Sequence, residues 1–258
     1  MDELKNEIYE KIRIARANRY LTNCYSMDVV DHSQKIYTDR DGFIFSYEDH
    51  GIIRLAFFVK KLDALDNIIK KMDNGKFFLE FMTKNPEQYT PTNSVLRAKM
   101  MRLANVDCNS VFKADSKVIQ FMGRASAHMA KESDAEEINK ILWTTFHTEV
   151  SHLLSNDEVA DKIREAQFTI HKNNHGQIDA LLQADVMPKK FYINQVVNKT
   201  KKHVIHAILM QRLEEYVNHG GKYLYAWVED NNVASLKFHE KYDMKHDGMY
   251  SMIYCIER

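Results

Sequence analysis

Three polar residues that lie close together, His147, Glu149 and His152, are the first candidates for chemistry in this chain. Carboxylates and imidazoles can exchange protons with a substrate or bind a metal ion. The two histidines are five residues apart, whereas the two ligands of a helical zinc motif are four apart, so we expect no metal site. For Glu149 the alternative is an exposed glutamate on a helix, which is a common position for this residue.

Basic residues gather immediately before a predicted helix in the second half of the chain. Lys199, Lys201, Lys202 and His203 precede or open a helix predicted over residues 203–219. Free N–H groups at the start of a helix, together with the helix dipole, favour an anion there. The alternative interpretation is a solvated basic helix start with no ligand.

Other reactive motifs are absent from the sequence. It contains no GxSxG nucleophile motif, Walker loop or dinucleotide fingerprint, and no glycine lies between Gly176 and Gly220. The three cysteines, Cys24, Cys108 and Cys255, show no CxxC spacing. This argues against both a disulfide framework and a zinc cluster.

Length and charge limit the class of protein. The 258 residues exceed the usual size of a single domain, so two domains are expected. Lysine plus arginine and aspartate plus glutamate both number 36, which removes the strongest argument for a nucleic-acid or membrane partner. The N-terminus lacks the apolar core of a signal peptide, and no apolar run approaches the length of a membrane span. We therefore expect a cytoplasmic protein.

Apolar spacing and turn residues predict the elements of the first half. They are an amphipathic helix over residues 1–20, a hairpin over 43–59 that turns at Gly51, a helix over 61–72, a strand over 76–83, a loop over 85–93 and a helical or mixed stretch over 94–104.

The second half gives clearer signals, in the order β-α-α-β-β-β-α-β-α-β. Its predicted strands cover residues 125–129, 168–171, 177–183, 191–197, 223–228 and 250–256, the last after a turn at Asp247-Gly248. Capping boxes at Ser133–Glu136 and Ser155–Glu158 predict the starts of the first two helices. Gly220-Gly221 ends the long helix, and a last helix covers residues 232–241.

One phrase near the C-terminus carries a family resemblance. It is WVEDNNVASLKFHEKYDM at residues 227–244, where a strand leads into a helix. Five of its residues fit the pattern N-x-x-A-x-x-(F/Y)-Y-E-K in register: Asn232, Ser235, Phe238, Glu240 and Lys241. AKESDAEEINKIL at residues 130–142 is similar to an opening strand and helix with the same order of elements. Residues 124–258 thus resemble the GNAT superfamily of acyl-CoA-dependent N-acetyltransferases.

The resemblance implies a coenzyme site between two adjacent parallel strands. In the family such strands splay apart and hold the pantetheine arm, and here they would be residues 191–197 and 223–228. Backbone groups near Val196 and Val197 would pair with the pantetheine amides, which requires an open strand edge. Asn232, Ser235 and Phe238 are expected to contact the coenzyme as well.

The resemblance also places the coenzyme pyrophosphate at the start of the long helix. The residues implied are Lys201, Lys202, His203, Val204 and Ile205. The family loop reads (Q/R)-x-x-G-x-(G/A), and both glycines are missing from this sequence. Glycine lets backbone approach a phosphate closely, so the change would weaken coenzyme binding, with the lysine charges offsetting part of the loss.

Two residues are the implied catalytic groups. His239 stands where the family usually has a tyrosine that protonates the departing thiolate, and an imidazole can also donate a proton. The central strand has no acid, so Glu149 is the candidate that deprotonates the amine. Each has a plain alternative as a surface helix residue.

We therefore predict an α/β chain of two GNAT-like halves, each a mixed, largely antiparallel sheet flanked by helices. Residues 1–118 would form a diverged domain and residues 119–258 the acetyltransferase domain. The expected reaction is direct transfer from acetyl-CoA, or another acyl-CoA, to a primary amine of a small molecule or peptide. The alternative is a non-catalytic GNAT-like protein that binds a ligand or partner. A homodimer is left open, because long apolar strands can pair between subunits.

Overall fold

The chain divides into two compact units that exchange segments of sequence. The computed structural model describes residues 2–123, 127–200 and 203–258. Unit 1 comprises Met1–Lys99, Thr148–His152 and Met249–Arg258, and unit 2 comprises Met100–His147 and Leu153–Gly248. Neither unit begins or ends between residues 118 and 119. The prediction that residues 1–118 and 119–258 form separate domains is not tested by this division and stays a prediction.

Unit 1 is built around a mixed sheet. Its elements are α1 (Asp2–Ala17), β1 (Leu21–Thr22), β2 (Ser33–Asp39), β3 (Gly42–Asp49), β4 (Ile52–Val59), α2 (Ala64–Ile69) and β5 (Lys76–Thr83), with parts of β6 (Ser94–Asn105) and β12 (Lys245–Glu257). The strands run in the order β2-β3-β4-β5-β12, and β1 pairs with β4. Among the described pairings of these strands, β4 with β5 is the parallel one and the others are antiparallel.

Helices cover both faces of the unit 1 sheet. Ile8 and Ile12 of α1 pack with Phe45 of β3, whereas Ile68 of α2 packs with Ile44, the preceding residue of the same strand. Successive strand residues point to opposite faces, so α1 and α2 lie on opposite sides. The hairpin predicted at Gly51 is confirmed.

Unit 2 repeats this plan with more helix. Its elements are the rest of β6 and β12, β7 (His128–Met129), α3 (Ala135–Thr145), α4 (Asn156–Arg164), β8 (Phe168–Lys172), β9 (Ile178–Met187), β10 (Lys190–Asn198), α5 (Val204–Asn218), β11 (Tyr223–Glu229) and α6 (Val233–Glu240). The strand order is β6-β11-β10-β9-β8-β7, and only β10 and β11 are parallel. In each unit the strands are of mixed direction and are flanked by helices, which agrees with the predicted fold class.

The two faces of the unit 2 sheet carry separate cores. Leu182 packs with Ile208 and Leu213 of α5, whereas the adjacent Leu181 packs with Ile141 and Val159 of α3 and α4. The sheet therefore lies between α5 on one side and the α3–α4 pair on the other. Among the described residues, no helix is both long and apolar enough to cross a bilayer.

Three local predictions are wrong. Residues 94–105 form a strand rather than a helical stretch, because β6 finds an antiparallel partner in β11 that outweighs its helix-favouring Leu, Ala, Lys and Met residues. Ser133 does not cap α3. The N-cap of α3 is Asp134, whose carboxylate turns back from the helix and accepts a hydrogen bond from the Lys131 N–H at 2.9 Å. Gly248 lies inside β12 with φ of 89°, not in a turn before it. The capping box at Ser155 and Glu158 is confirmed.

Candidate functional site

The two parallel strands of unit 2 part midway along their length. β10 and β11 pair from Lys190↔Tyr223 to Ile193↔Ala226. Beyond Ile193, β10 continues to Asn198 while staying paired with β9 on its other side. Among the described residues, no strand pairs with this second edge of β10. The splay that the resemblance implied between residues 191–197 and 223–228 is therefore a feature of this unit.

A bulge in β10 marks the point of parting. The register with β9 shifts between Ile193 and Gln195, so Asn194 is the extra residue. Such bulges bend a strand and turn its edge away from its neighbour. After the bulge, half-buried Val196 packs toward the α5 core, and buried Val197 packs toward the α3–α4 core. Their side chains are used in packing, so a ligand at this edge would meet their backbone.

Gln195, the residue that follows the bulge, has an unusual environment. The residue is 7% exposed, and its Oε1 has no hydrogen-bond partner among the described residues. An orphaned buried acceptor costs roughly 1–3 kcal/mol. This oxygen belongs to the first residue after the bulge, and the described residues supply it with no donor.

The start of α5 follows β10 closely in sequence. His203 is the N-cap, and its carbonyl accepts the first bonds of the helix from His206 at 3.1 Å and Ala207 at 3.3 Å. The amides of Val204 and Ile205 come before these bonds, and both side chains are buried in the core. Backbone N–H groups are thus what these two positions offer an anion. Lys201 and Lys202 lie outside the described residues.

A buried histidine beneath this helix start was missed by the sequence reasoning. His206 Nδ1 lies 2.9 Å from Tyr242 Oη, and Lys241 Nζ lies 3.4 Å from His206 Nε2. Burial, helped by the charge of Lys241, lowers the pKa of His206 to about 4. The ring also stacks on Phe121 and Phe238. A neutral His206 therefore adds no positive charge to the start of α5 near neutral pH.

The α6 residues that carried the resemblance are occupied largely with one another. Asn232 is the N-cap and accepts a hydrogen bond from Ser235 N–H at 3.0 Å. The Ser235 carbonyl lies 2.8 Å from His239 Nδ1, and Phe238 contributes its ring to the α5 core. These contacts explain the residue types by helix geometry. Coenzyme contact by Asn232, Ser235 and Phe238 stays a prediction.

His239 is buried and electrically neutral at ordinary pH. It is 4% exposed, and burial lowers the pKa of its imidazole to about 4. A carbonyl can only accept a hydrogen bond, so Nδ1 must carry the proton and donate the hydrogen bond to the Ser235 carbonyl. Nε2 then holds a lone pair, and it has no partner among the described residues. In this tautomer Nε2 accepts a hydrogen bond. Donation to a thiolate, as predicted, requires the other tautomer.

Glu149 belongs to unit 1, in the segment Thr148–His152 between α3 and α4. Its Oε1 lies 2.6 Å from Lys76 Nζ, and its Oε2 lies 3.5 Å from Arg97 Nε. Two cations stabilise the carboxylate and oppose its use as a base. The role of Glu149 as the base stays a prediction.

The same segment is held to unit 1 by a second charged group. Arg54 donates from Nη2 to the Thr148 carbonyl at 2.9 Å, and His152 Nδ1 lies 2.8 Å from Asp49 Oδ2. Burial opposes ionisation of Asp49, but His152 and Arg54 lower the pKa of its carboxyl to about 2. The segment that contains Glu149 is therefore anchored by charge at both ends.

Comparison with known proteins gives structural neighbours only. No family model and no curated protein matches the sequence. A tandem GNAT protein from the clavulanic acid biosynthesis pathway matches with a TM-score of 0.57 and 8% identity, over 84% of this chain and 79% of that one. A GCN5-related N-acetyltransferase from Sphaerobacter thermophilus gives 0.58 and 9%, over 84% and 76%.

A third solved structure agrees with these two. A GNAT-family acetyltransferase from Colwellia psychrerythraea matches with a TM-score of 0.51 and 9% identity, over 85% of this chain and 82% of that one. Identities this low establish the fold and not the activity. Together with the parting strands of unit 2, they show that this protein has the GNAT acetyltransferase fold.

Proposed function

We propose that unit 2 binds an acyl-CoA, with acetyl-CoA the expected donor, and transfers the acyl group to a primary amine. The observation that carries the proposal is the parting of β10 from β11 after Ile193, which leaves a strand edge for an extended amide-containing chain. The amides of Val204 and Ile205 would receive the pyrophosphate at the start of α5. The basic residues before the helix would add charge.

The reaction is direct aminolysis of the thioester. The amine nitrogen attacks the acyl carbon, the C–N bond forms, the C–S bond breaks and the amine loses one proton. Backbone N–H groups at the edge of β10, near Val196, are the proposed donors to the carbonyl oxygen as it gains negative charge. The base and the group that protonates the thiolate are not assigned by this geometry, beyond the predictions for Glu149 and His239.

The alternative is a GNAT-like protein that binds a ligand without turnover. The specific observation in its favour is the 2.8 Å contact of His239 Nδ1 with the Ser235 carbonyl, which favours the tautomer whose Nε2 accepts rather than donates. Such a protein would keep the GNAT-like shape and bind a ligand or a partner, whether or not it retains the coenzyme. Binding and turnover must therefore be measured separately.

The first experiment is calorimetry of the full chain with acetyl-CoA and with desulfo-CoA, on wild type and on His203→Asp. A carboxylate at the N-cap favours the helix by about 0.3–1 kcal/mol but repels a bound phosphate. We expect micromolar binding of both ligands to wild type and at least fivefold weaker binding to the variant, with unchanged or higher thermal stability.

His175→Asp is the matched control, because it makes the same charge change on the exposed turn between β8 and β9. It should bind as wild type does. Absence of binding at millimolar coenzyme would reject the proposal. Equal binding by His203→Asp and wild type would reject the assignment of the pyrophosphate to the start of α5. Binding without turnover over a panel of amines would favour the non-catalytic alternative.

A further inference from the structure

Unit 1 contains the same kind of parting strands as unit 2. Its parallel strands β4 and β5 pair only at Arg54↔Phe78 and Leu55↔Leu79. β4 then continues to Val59 and β5 to Thr83 with no further parallel pairing between them. On geometry alone, unit 1 would offer a second edge to an extended ligand.

The chain itself occupies that edge. β3 pairs with one side of β4 along its whole length, from Asp49↔Ile52 to Gly42↔Val59. β1 also pairs with β4, through Leu21↔Val59 and Thr22↔Phe58. Each strand has two hydrogen-bonding edges, so β1 must lie on the side that faces β5. A short strand therefore lies in the gap that opens as β4 and β5 part.

The next residue, Asn23, bridges the two parting strands with its side chain. Its Nδ2 donates to the Leu55 carbonyl of β4 at 2.8 Å and to the Glu80 carbonyl of β5 at 2.7 Å. Its Oδ1 accepts from the Phe57 N–H at 2.8 Å. Leu55 is the last residue of β4 that pairs with β5, and Glu80 is the first residue of β5 beyond that pairing. The contacts therefore fall at the point of parting.

A carboxamide offers the same donor and acceptor groups as a peptide unit. Asn23 therefore occupies strand groups to which an amide of an extended ligand would otherwise bond. We propose that residues 21–23 permanently close the strand gap of unit 1, so that the chain takes up one coenzyme molecule, in unit 2. The count of one rests on the proposed function of unit 2, whereas the closure of unit 1 does not.

The closure is tested without coenzyme by hydrogen exchange of the Phe57 amide. It should be protected in wild type and should exchange at least tenfold faster in Asn23→Ala, where its acceptor is lost. Asn18→Ala is the control, because Asn18 bonds only within the end of α1, to the Ile14 carbonyl at 2.8 Å. Asn23→Asp keeps the acceptor for Phe57 and loses the donors to Leu55 and Glu80, so it should retain more Phe57 protection than Asn23→Ala. An unprotected Phe57 amide in wild type would overturn the closure.

The count is tested by the stoichiometry of acetyl-CoA binding to the full chain. We expect one equivalent of acetyl-CoA per chain, bound to a single class of site whose affinity His203→Asp lowers. Two equivalents would place coenzyme in unit 1 as well and overturn the inference. If wild type binds no coenzyme, the proposed function of unit 2 fails, and the Phe57 measurement alone decides the closure of unit 1.

Discussion

Two buried histidines in unit 2 couple the stability of the protein to pH. The pKa values of His206 and His239 are lowered to about 4, mainly by burial, from an ordinary value near 6.5. Below pH 6.5 the two histidines are protonated in the unfolded chain, whereas in the folded chain they are protonated only near pH 4. The stability that both side chains provide above pH 6.5 is therefore lost as the pH falls toward 4.

We expect the free energy of unfolding to fall by about 2 kcal/mol for each of these histidines between pH 7 and pH 5. Urea unfolding of wild type and of the His206→Gln/His239→Gln double variant checks this. The double variant should show a shallower dependence on pH, whereas His219→Gln, a change at an exposed histidine, should keep the wild-type dependence. Identical pH dependence in wild type and double variant would contradict the assignment.

Gln195 gives a second prediction at the residue scale, because its buried Oε1 has no hydrogen-bond partner in the described part of the chain. Gln195→Leu removes an unsatisfied acceptor and should leave the stability unchanged or raise it by about 1 kcal/mol. If the oxygen accepts a hydrogen bond from the attacking amine, turnover should fall at least tenfold while acetyl-CoA affinity stays the same. Gln211→Leu makes the same change on an exposed position of α5 and should alter neither. Full turnover in Gln195→Leu would show that the oxygen plays no part in the reaction.

The link between α5 and β11 shows how one element positions the next. Gly220 has φ of 84°, and a Cβ there would meet open space. A Cβ on Gly221 would lie 2.2 Å from the ring of Tyr216, which is buried and donates a hydrogen bond to the Tyr223 carbonyl at 3.2 Å. Gly220 is needed for its left-handed backbone conformation, and Gly221 is needed because a side chain there would collide with the Tyr216 ring.

Alanine at each glycine separates these two effects. Gly220→Ala should cost about 1 kcal/mol, the usual penalty for a Cβ in left-handed backbone. Gly221→Ala should cost more, about 1–3 kcal/mol, because a packed ring must move. Thermal unfolding of the two variants and of a Gly221→Ala/Tyr216→Leu double variant checks this. If Gly221→Ala lowers the stability as much in a Tyr216→Leu background as it does in wild type, the steric explanation is wrong.

At the scale of elements, the sequence was informative wherever local chemistry decides the structure. The Ser155 capping box, the Gly51 hairpin and the Gly220 stop each depend on residues within a few positions, and all three occur in the structure. The prediction for residues 94–104 was wrong because these residues favour a helix and because β11, the strand that pairs with β6, lies more than a hundred residues away. The bulge in β10 and the orphaned Gln195 oxygen likewise depend on distant strands, so no local signal could identify them.

The exchange of segments between units is a property of the whole molecule that residue order did not reveal. The boundary at residue 118 was predicted within residues 107–123, a stretch without a clear helix or strand signal. In the structure, β5 of unit 1 pairs with the C-terminal strand from Thr83↔Tyr250 to Lys76↔Glu257. β11 of unit 2 pairs with β6, which lies before residue 118. Each unit therefore needs a strand from the other side of the predicted boundary.

Removal of residues 249–258 should consequently damage unit 1, although those residues lie farthest from its start in sequence. The deletion strips β5 of its antiparallel partner and removes Ile253 and Ile256, both buried. We expect amides in β5 to lose their protection from hydrogen exchange. Both tryptophans, Trp143 and Trp227, lie in unit 2, so their fluorescence reports that unit separately.

The control deletes residue 258 alone, which leaves every pair between β5 and β12 in place. If the longer deletion leaves β5 as protected as in the full chain, the C-terminal strand is not an integral part of unit 1, and a boundary near residue 118 becomes the better description of how the chain folds.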